Sequence, residues 1–195
     1  MSSSAAPMGA RPVGSLVSCA YNAKISHYKI KNNYGTAIFY GDFVKWADDN
    51  PNTTIQKDTG TTSLTPIGVF LGCSYTDPVS GQFTNSPQYP ASTAADDLVA
   101  YVASDPFLVM QMQSDESLGQ DDLGKNVAVV QTAGSTKFGI SKNAIDGSTA
   151  ATTNTLPLKI IDFVEGGDSE IGDSYTDVLV MFNTGHQLLN TTGIG

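Results

Sequence analysis

Several stretches of the chain carry residue types able to do chemistry, and spacing decides what each is good for. Gly119 to Asn126, GQDDLGKN, falls one residue short of the phosphate-loop pattern GxxxxGK[ST]. Asn126 stands where a magnesium-holding hydroxyl belongs, Asp121 and Asp122 would face a polyphosphate, and a strand pattern follows where a phosphate-cradling helix should begin. Nucleotide binding is therefore not expected. Asp162 to Asp177, DFVEGGDSEIGDSYTD, gathers six carboxylates and three glycines. Ca²⁺ takes oxygens from flexible acidic loops, but this spacing matches no EF-hand, so the expectation is a solvated strand connection without a metal.

Nucleophilic catalysis finds little support. His27 and His186 are the only imidazoles, and Gly72-Cys73-Ser74-Tyr75 is not the GxSxG elbow that presents a nucleophile. Carboxylates for glycoside hydrolysis would pair in space and leave no mark in the sequence. Cys19 and Cys73 are the only cysteines, form no CxxC pair, and read as two buried thiols of a reducing compartment. The expectation is a protein that is not an enzyme, with no catalytic residue, cofactor or metal.

The remaining candidates are basic. Lys24, His27, Lys29 and Lys31 alternate with Ile25, Tyr28 and Ile30, and Arg11, the only arginine, precedes them. These five, Arg11, Lys24, His27, Lys29 and Lys31, are the expected partner-binding residues. The patch is too sparse for a nucleic-acid stacking surface. An exposed strand whose lysines guard its edge fits better, as does contact with an acidic protein surface.

The elements that position these residues read as strands. Only 15% of the 195 residues are charged, and Glu occurs only at 116, 165 and 170. Long solvent-facing helices need more Glu, Lys and Arg than that. The net charge of −9 is unevenly spread: residues 1–66 hold six bases and four acids, the remainder four bases and fifteen acids. An acidic body opposes phosphate and anionic-membrane surfaces. The opening MSSSAAPMGARPVG has no apolar core region of a secretory signal, and no run approaches the ~18 apolar residues of a membrane span.

Residues 1–15, punctuated by Pro7, Gly9, Pro12 and Gly14, read as a flexible N-terminal arm, and 16–195 as a single β-rich body. At its centre, Pro66 to Pro90 spells strand, turn (Asp77 to Gly81) and strand. Thr36 to Trp46 is an aromatic strand bent at Gly41-Asp42. Short strands are expected over 53–57, 98–103, 107–113, 127–131, 156–164 and 178–182, with an irregular one over 137–144. Residues 114–126 and 146–154 read as loops, the first with room for one helical turn. Eight to ten short strands without a long helix specify an all-β fold, a small β-barrel or β-tulip or a sandwich-like body.

Taken in order, AIFYGDFVKW, PIGVFLGCSYTDPVSGQF, LVAYVASDPFLVMQMQ and the LPLKII strand resemble the head decoration, or cement, proteins of tailed bacteriophages over roughly residues 28–183. The resemblance implies a virion protein on the outer capsid surface, made in the host cytoplasm. Its implied partner is the major capsid protein, met as a homotrimer at three-fold or quasi-three-fold positions. It also assigns Gly41-Asp42 and residues 68–75 to the barrel scaffold. A tail or fibre component, or a carbohydrate-binding module, is the alternative.

Overall fold

The computed structural model describes residues 4–17, 24–47, 54–166 and 169–187. In chain order the strands are β1 (Arg11–Ser15), β2 (Ile25–Ile30), β3 (Ile38–Phe39), β4 (Phe43–Trp46), β5 (Thr54–Lys57), β6 (Gly68–Thr76) and β7 (Phe83–Ser86). They continue as β8 (Gln88–Tyr89), β9 (Val99–Ala103), β10 (Leu108–Gln113), β11 (Asn126–Val130), β12 (Ala144–Ala151), β13 (Leu158–Phe163) and β14 (Asp177–Phe182). Among the described residues a single 3-10 turn, Gln120–Asp122, interrupts the strands. The fold is all-β. No helix among the described residues is long and apolar enough to cross a membrane.

Five strands, in the order β4-β5-β2-β9-β6, close into a barrel through pairing of β4 with β6, and β7 continues the wall from β6. Closure depends on a glycine. A side chain at Gly68 would collide with the carbonyl of Ala103, so only glycine lets β6 cross β9 this closely while it pairs with Val44 of β4. A bulge between Phe70 and Gly72 adds curvature, with Gly72 at φ +135° in a region that favours glycine. The bend expected at Gly41-Asp42 separates β3 from β4, with Gly41 at φ +90°.

The second sheet runs β1-β10-β14-β13-β11-β12. A parallel bridge from Ser114 to Ile145 brings the end of β10 toward β12 and curls this sheet on itself. β3 and β8 form a separate two-stranded ribbon.

Each sheet encloses apolar residues. Ile30, Val44, Ile55, Ile67, Phe70, Tyr89 and Val102 fill the barrel. Leu108, Met110, Met112, Val127, Ile145, Ile160 and Val180 fill the second sheet, and the same cluster includes Phe43, Val69 and Ala103 from the barrel strands. Phe43 meets Phe182 edge to face with ring centroids 6.0 Å apart. The alternation expected for 107–113 is seen in β10, where Leu108, Met110 and Met112 are buried and Gln111 and Gln113 are half-buried.

Three expectations are corrected. Residues 4–15 are not a free arm: β1 pairs with β10, Ala6 N–H donates to Gln113 Oε1 at 2.7 Å, and Gln113 Nε2 donates to Ser4 O at 3.2 Å. A segment too polar to fold alone is held here by the open hydrogen-bonding edge of β10. β2 is not an edge strand, since it lies between β5 and β9 in the barrel wall. Residues 144–151, within the stretch read as a loop and the irregular strand before it, form β12. Its Thr149 hydroxyl accepts from Ala128 N–H at 2.9 Å, so a side chain stands in for a ladder acceptor next to a register shift.

Candidate interaction face and a buried polar hub

Along β2 the side chains alternate. Ile25, His27 and Lys29 are exposed, while Ser26 and Tyr28 are half-buried and Ile30 is buried. Lys24 and Lys31, at the two ends of the strand, are exposed as well. The barrel wall thus lines up Lys24, His27, Lys29 and Lys31 on one strand and its ends. Tyr101 of β9, opposite His27 in the ladder, meets its ring edge-on with centroids 5.1 Å apart. Inside the wall, Tyr28 packs edge-on against Trp46 at 5.2 Å, and Ser26 and Ser104 hydroxyls share a hydrogen bond of 2.7 Å. The strand is thereby fixed from within.

Arg11 does not join this group. It is exposed on β1 of the other sheet, opposite Gln111, and its charge reaches Asp177.

Near the start of β2 the surface turns apolar. Leu16, Val17, Ile25 and Phe107 are 58%, 72%, 51% and 44% exposed. Leu16 N–H donates to Phe107 O at 3.1 Å, and Ile25 pairs with Ala103 only a few residues before Phe107. The crossover from β9 to β10 therefore carries an apolar area beside the cationic strand. Sequence reading missed it because Leu16, Val17 and Phe107 are unremarkable singly, and only strand pairing gathers them.

A second constellation is buried. Asp42, fully enclosed, receives four donors: Phe39 N–H on Oδ2 at 2.9 Å, Lys57 Nζ on Oδ2 at 2.9 Å, Ser141 Oγ on Oδ1 at 2.7 Å and Asn143 Nδ2 on Oδ1 at 3.2 Å. Ser141 and Asn143 are themselves fully buried. Asn143 Oδ1 accepts from Thr132 N–H at 3.0 Å, which fixes the orientation of its amide. The N-terminal segment covers the hub: Gly9 N–H donates to Asn143 O at 3.1 Å, and Ala10 N–H to Gly41 O at 2.9 Å. The only sequence signal for the hub was an aspartate set inside an aromatic strand.

The other candidate motifs have structural uses. In the phosphate-loop-like stretch, Lys125 Nζ pairs with Asp122 at 2.8 Å, which lowers the Asp122 pKa, mainly through the Lys125 hydrogen bond. β11 then begins at Asn126. Burial pushes the Cys73 thiol up to about 12, and its Sγ donates to Gln88 O at 3.4 Å. Cys19 lies outside the described residues. His186 lies between two backbone carbonyls, Nδ1 3.2 Å from Leu64 O and Nε2 3.1 Å from Asn154 O, and a ring N–H donates to the carbonyl it faces. Within 162–177, Glu170 N–H donates to Asp173 Oδ2 at 3.2 Å. Among the described residues, no three His, Cys, Asp or Glu side chains gather as metal ligands would.

Comparison of the chain with protein-family models, with curated proteins and with solved structures finds no match.

Proposed function

We propose that this protein is a tailed-phage head decoration protein, which binds the outside of the capsid shell and holds neighbouring capsid subunits together without chemistry. The observation that carries the reading is the outer face of β2, where Lys24, His27, Lys29 and Lys31 stand exposed beside the apolar area of Leu16, Val17, Ile25 and Phe107. An exposed apolar area bordered by charged residues suits a protein-binding surface. Its cationic side suits an acidic partner, and the acidic remainder of the chain keeps free copies apart in solution.

A homotrimer at three-fold or quasi-three-fold positions belongs to the same proposal. Three linked copies raise occupancy through effective concentration even where each contact is weak. The reading is tested by incubating the purified chain with undecorated heads and sedimenting them. Saturable co-sedimentation supports it, and a chain that stays in the supernatant at all ratios contradicts it. Binding to a glycan array instead would favour the carbohydrate-binding alternative.

A further inference from the structure

We propose that Lys57 and Asn143 become joined, after folding, by an intramolecular amide bond made at Asp42. Lys57 ends β5 of the barrel, and Asn143 stands directly before β12 of the second sheet. Their side-chain nitrogens occupy the two oxygens of one buried carboxylate, Lys57 Nζ on Oδ2 at 2.9 Å and Asn143 Nδ2 on Oδ1 at 3.2 Å. An amine, a carboxamide and a carboxyl group able to carry a proton between them are the reactants and the acid–base catalyst of a transamidation.

The surroundings suit that step. Asp42 and Asn143 are fully buried, and the Lys57 side chain is 9% exposed. The ring of Phe39 lies 6.0 Å from Lys57 Nζ. Gly9 closes the site so tightly that a Cβ there would clash with Ser141 and with the carbonyl of Gly41. In such a dry site, transfer of a proton from Nζ to Oδ2 exchanges two charges for a neutral amine and a carboxylic acid. Thr132 N–H, 3.0 Å from Asn143 Oδ1, is placed where negative charge develops when the amide carbon is attacked. Holding the groups together by the fold replaces a bimolecular encounter.

The atoms balance as follows. Lys57 Nζ gives one proton to Asp42 and attacks Asn143 Cγ. The tetrahedral centre collapses with loss of its NH₂ group, which takes up one of the two protons still on Nζ and the proton held on Asp42 and leaves as ammonium, the last Nζ proton staying as the N–H of the new amide. Asp42 returns to carboxylate, and one C–N bond has formed where another broke. Ser141 Oγ, which donates to Asp42 Oδ1, is a positioning residue. The product bond would tie the barrel to the second sheet and restrict the unfolded chain as a disulfide does.

The test is the intact mass of the purified full-length chain under denaturing conditions, with allowance for the initiator methionine. The expected result is a deficit of one ammonia, about 17 Da, located by proteolysis in a branched peptide joining Lys57 to Asn143. Lys57→Met and Asn143→Ala chains, folded or not, should show their full sequence masses. A wild-type chain at full mass overturns the proposal. So does a deficit of one water mapped to Asp42, or an ammonia deficit mapped to any other residue.

Discussion

The carboxylate of Asp42 and the ammonium of Lys57 meet at 2.9 Å in the interior, where the bend after β3 faces the last residue of β5. The bend exists because Gly41, at φ +90°, turns the chain inward between two aromatic strands. Four donors then converge on the one carboxylate. Asp42→Ala leaves all four without their acceptor, and loss of one partner from a buried pair typically costs about 3–5 kcal/mol. Urea unfolding should show the midpoint falling by that equivalent. A variant within about 0.5 kcal/mol of wild type would mean the hub holds nothing together.

The N-terminal segment is part of the folded body. Gly9 has φ +71°, and a Cβ there would strike Ser141 and the Gly41 carbonyl. Gly9→Val should destabilise by on the order of 1–3 kcal/mol, from backbone strain and overpacking together. Removal of residues 1–14 should do more harm, because it strips most of β1 from β10 and uncovers Asp42. Thermal melting of the truncated chain checks this, and an unchanged melting temperature would restore the free-arm reading.

Cys73 should be chemically silent in the folded state. Its thiol is pushed up to about 12 by burial, and the thiolate is the reactive form. In a Cys19→Ser background, a disulfide reagent at pH 8 should label Cys73 only as fast as the protein unfolds. Rapid stoichiometric labelling without denaturant would contradict the packing described for β6.

Acid stability should follow the carboxylates. Asp77 is held below its ordinary 3.8 by the backbone N–H groups of Ser80 and Val79, and Asp97 by the Thr76 hydroxyl and N–H. Asp122 is lowered by Lys125. Each folded value lies below the unfolded one, so their contribution is complete above 3.8 and is lost as pH falls through the lowered values. Asp177 runs the other way, because burial raises its pKa. Its cost is absent below 3.8 and grows as pH rises through the raised value. At neutral pH, Asp177→Asn should therefore leave stability equal or higher, whereas Asp97→Asn should lower it and flatten the decline below pH 4. Urea titrations at stepped pH distinguish the two signs.

Much of this fold was readable from local patterns, and the exceptions share a cause. The alternation in 107–113, the Asp77–Gly81 turn and the glycine bend at 41 are set by neighbours in sequence, and they stand where expected. β12 was hidden because DGSTAA has no aromatic residue and only Thr149 as a β-branched one, and it exists because β11 offers it an edge. The lysines of β2 suggested a guarded edge, but closure of the barrel puts β5 beside them. The alternation survived this error, so Lys29 and His27 still face outward. Convergence of residues 42, 57, 141 and 143 depends on both sheets packing together, and no local signal carries that.

The proposed shell contact rests on charge at β2. Lys29→Glu combined with His27→Glu cancels the charge of Lys24 and Lys31 on an exposed face and should leave the melting temperature within a degree or two. Affinity for undecorated heads should fall about tenfold or more, with a weaker salt dependence, if these side chains meet an acidic surface. Unchanged binding would move the contact elsewhere on the protein.

The most direct measurement of the central claim is a cryo-electron microscopy reconstruction of undecorated tailed-phage heads after incubation with the purified chain. The account predicts added density outside the shell at three-fold or quasi-three-fold positions, with the face of Lys24, His27 and Lys29 turned toward the capsid subunits. Heads that gain no density at saturating protein, or density confined to the tail, would contradict it.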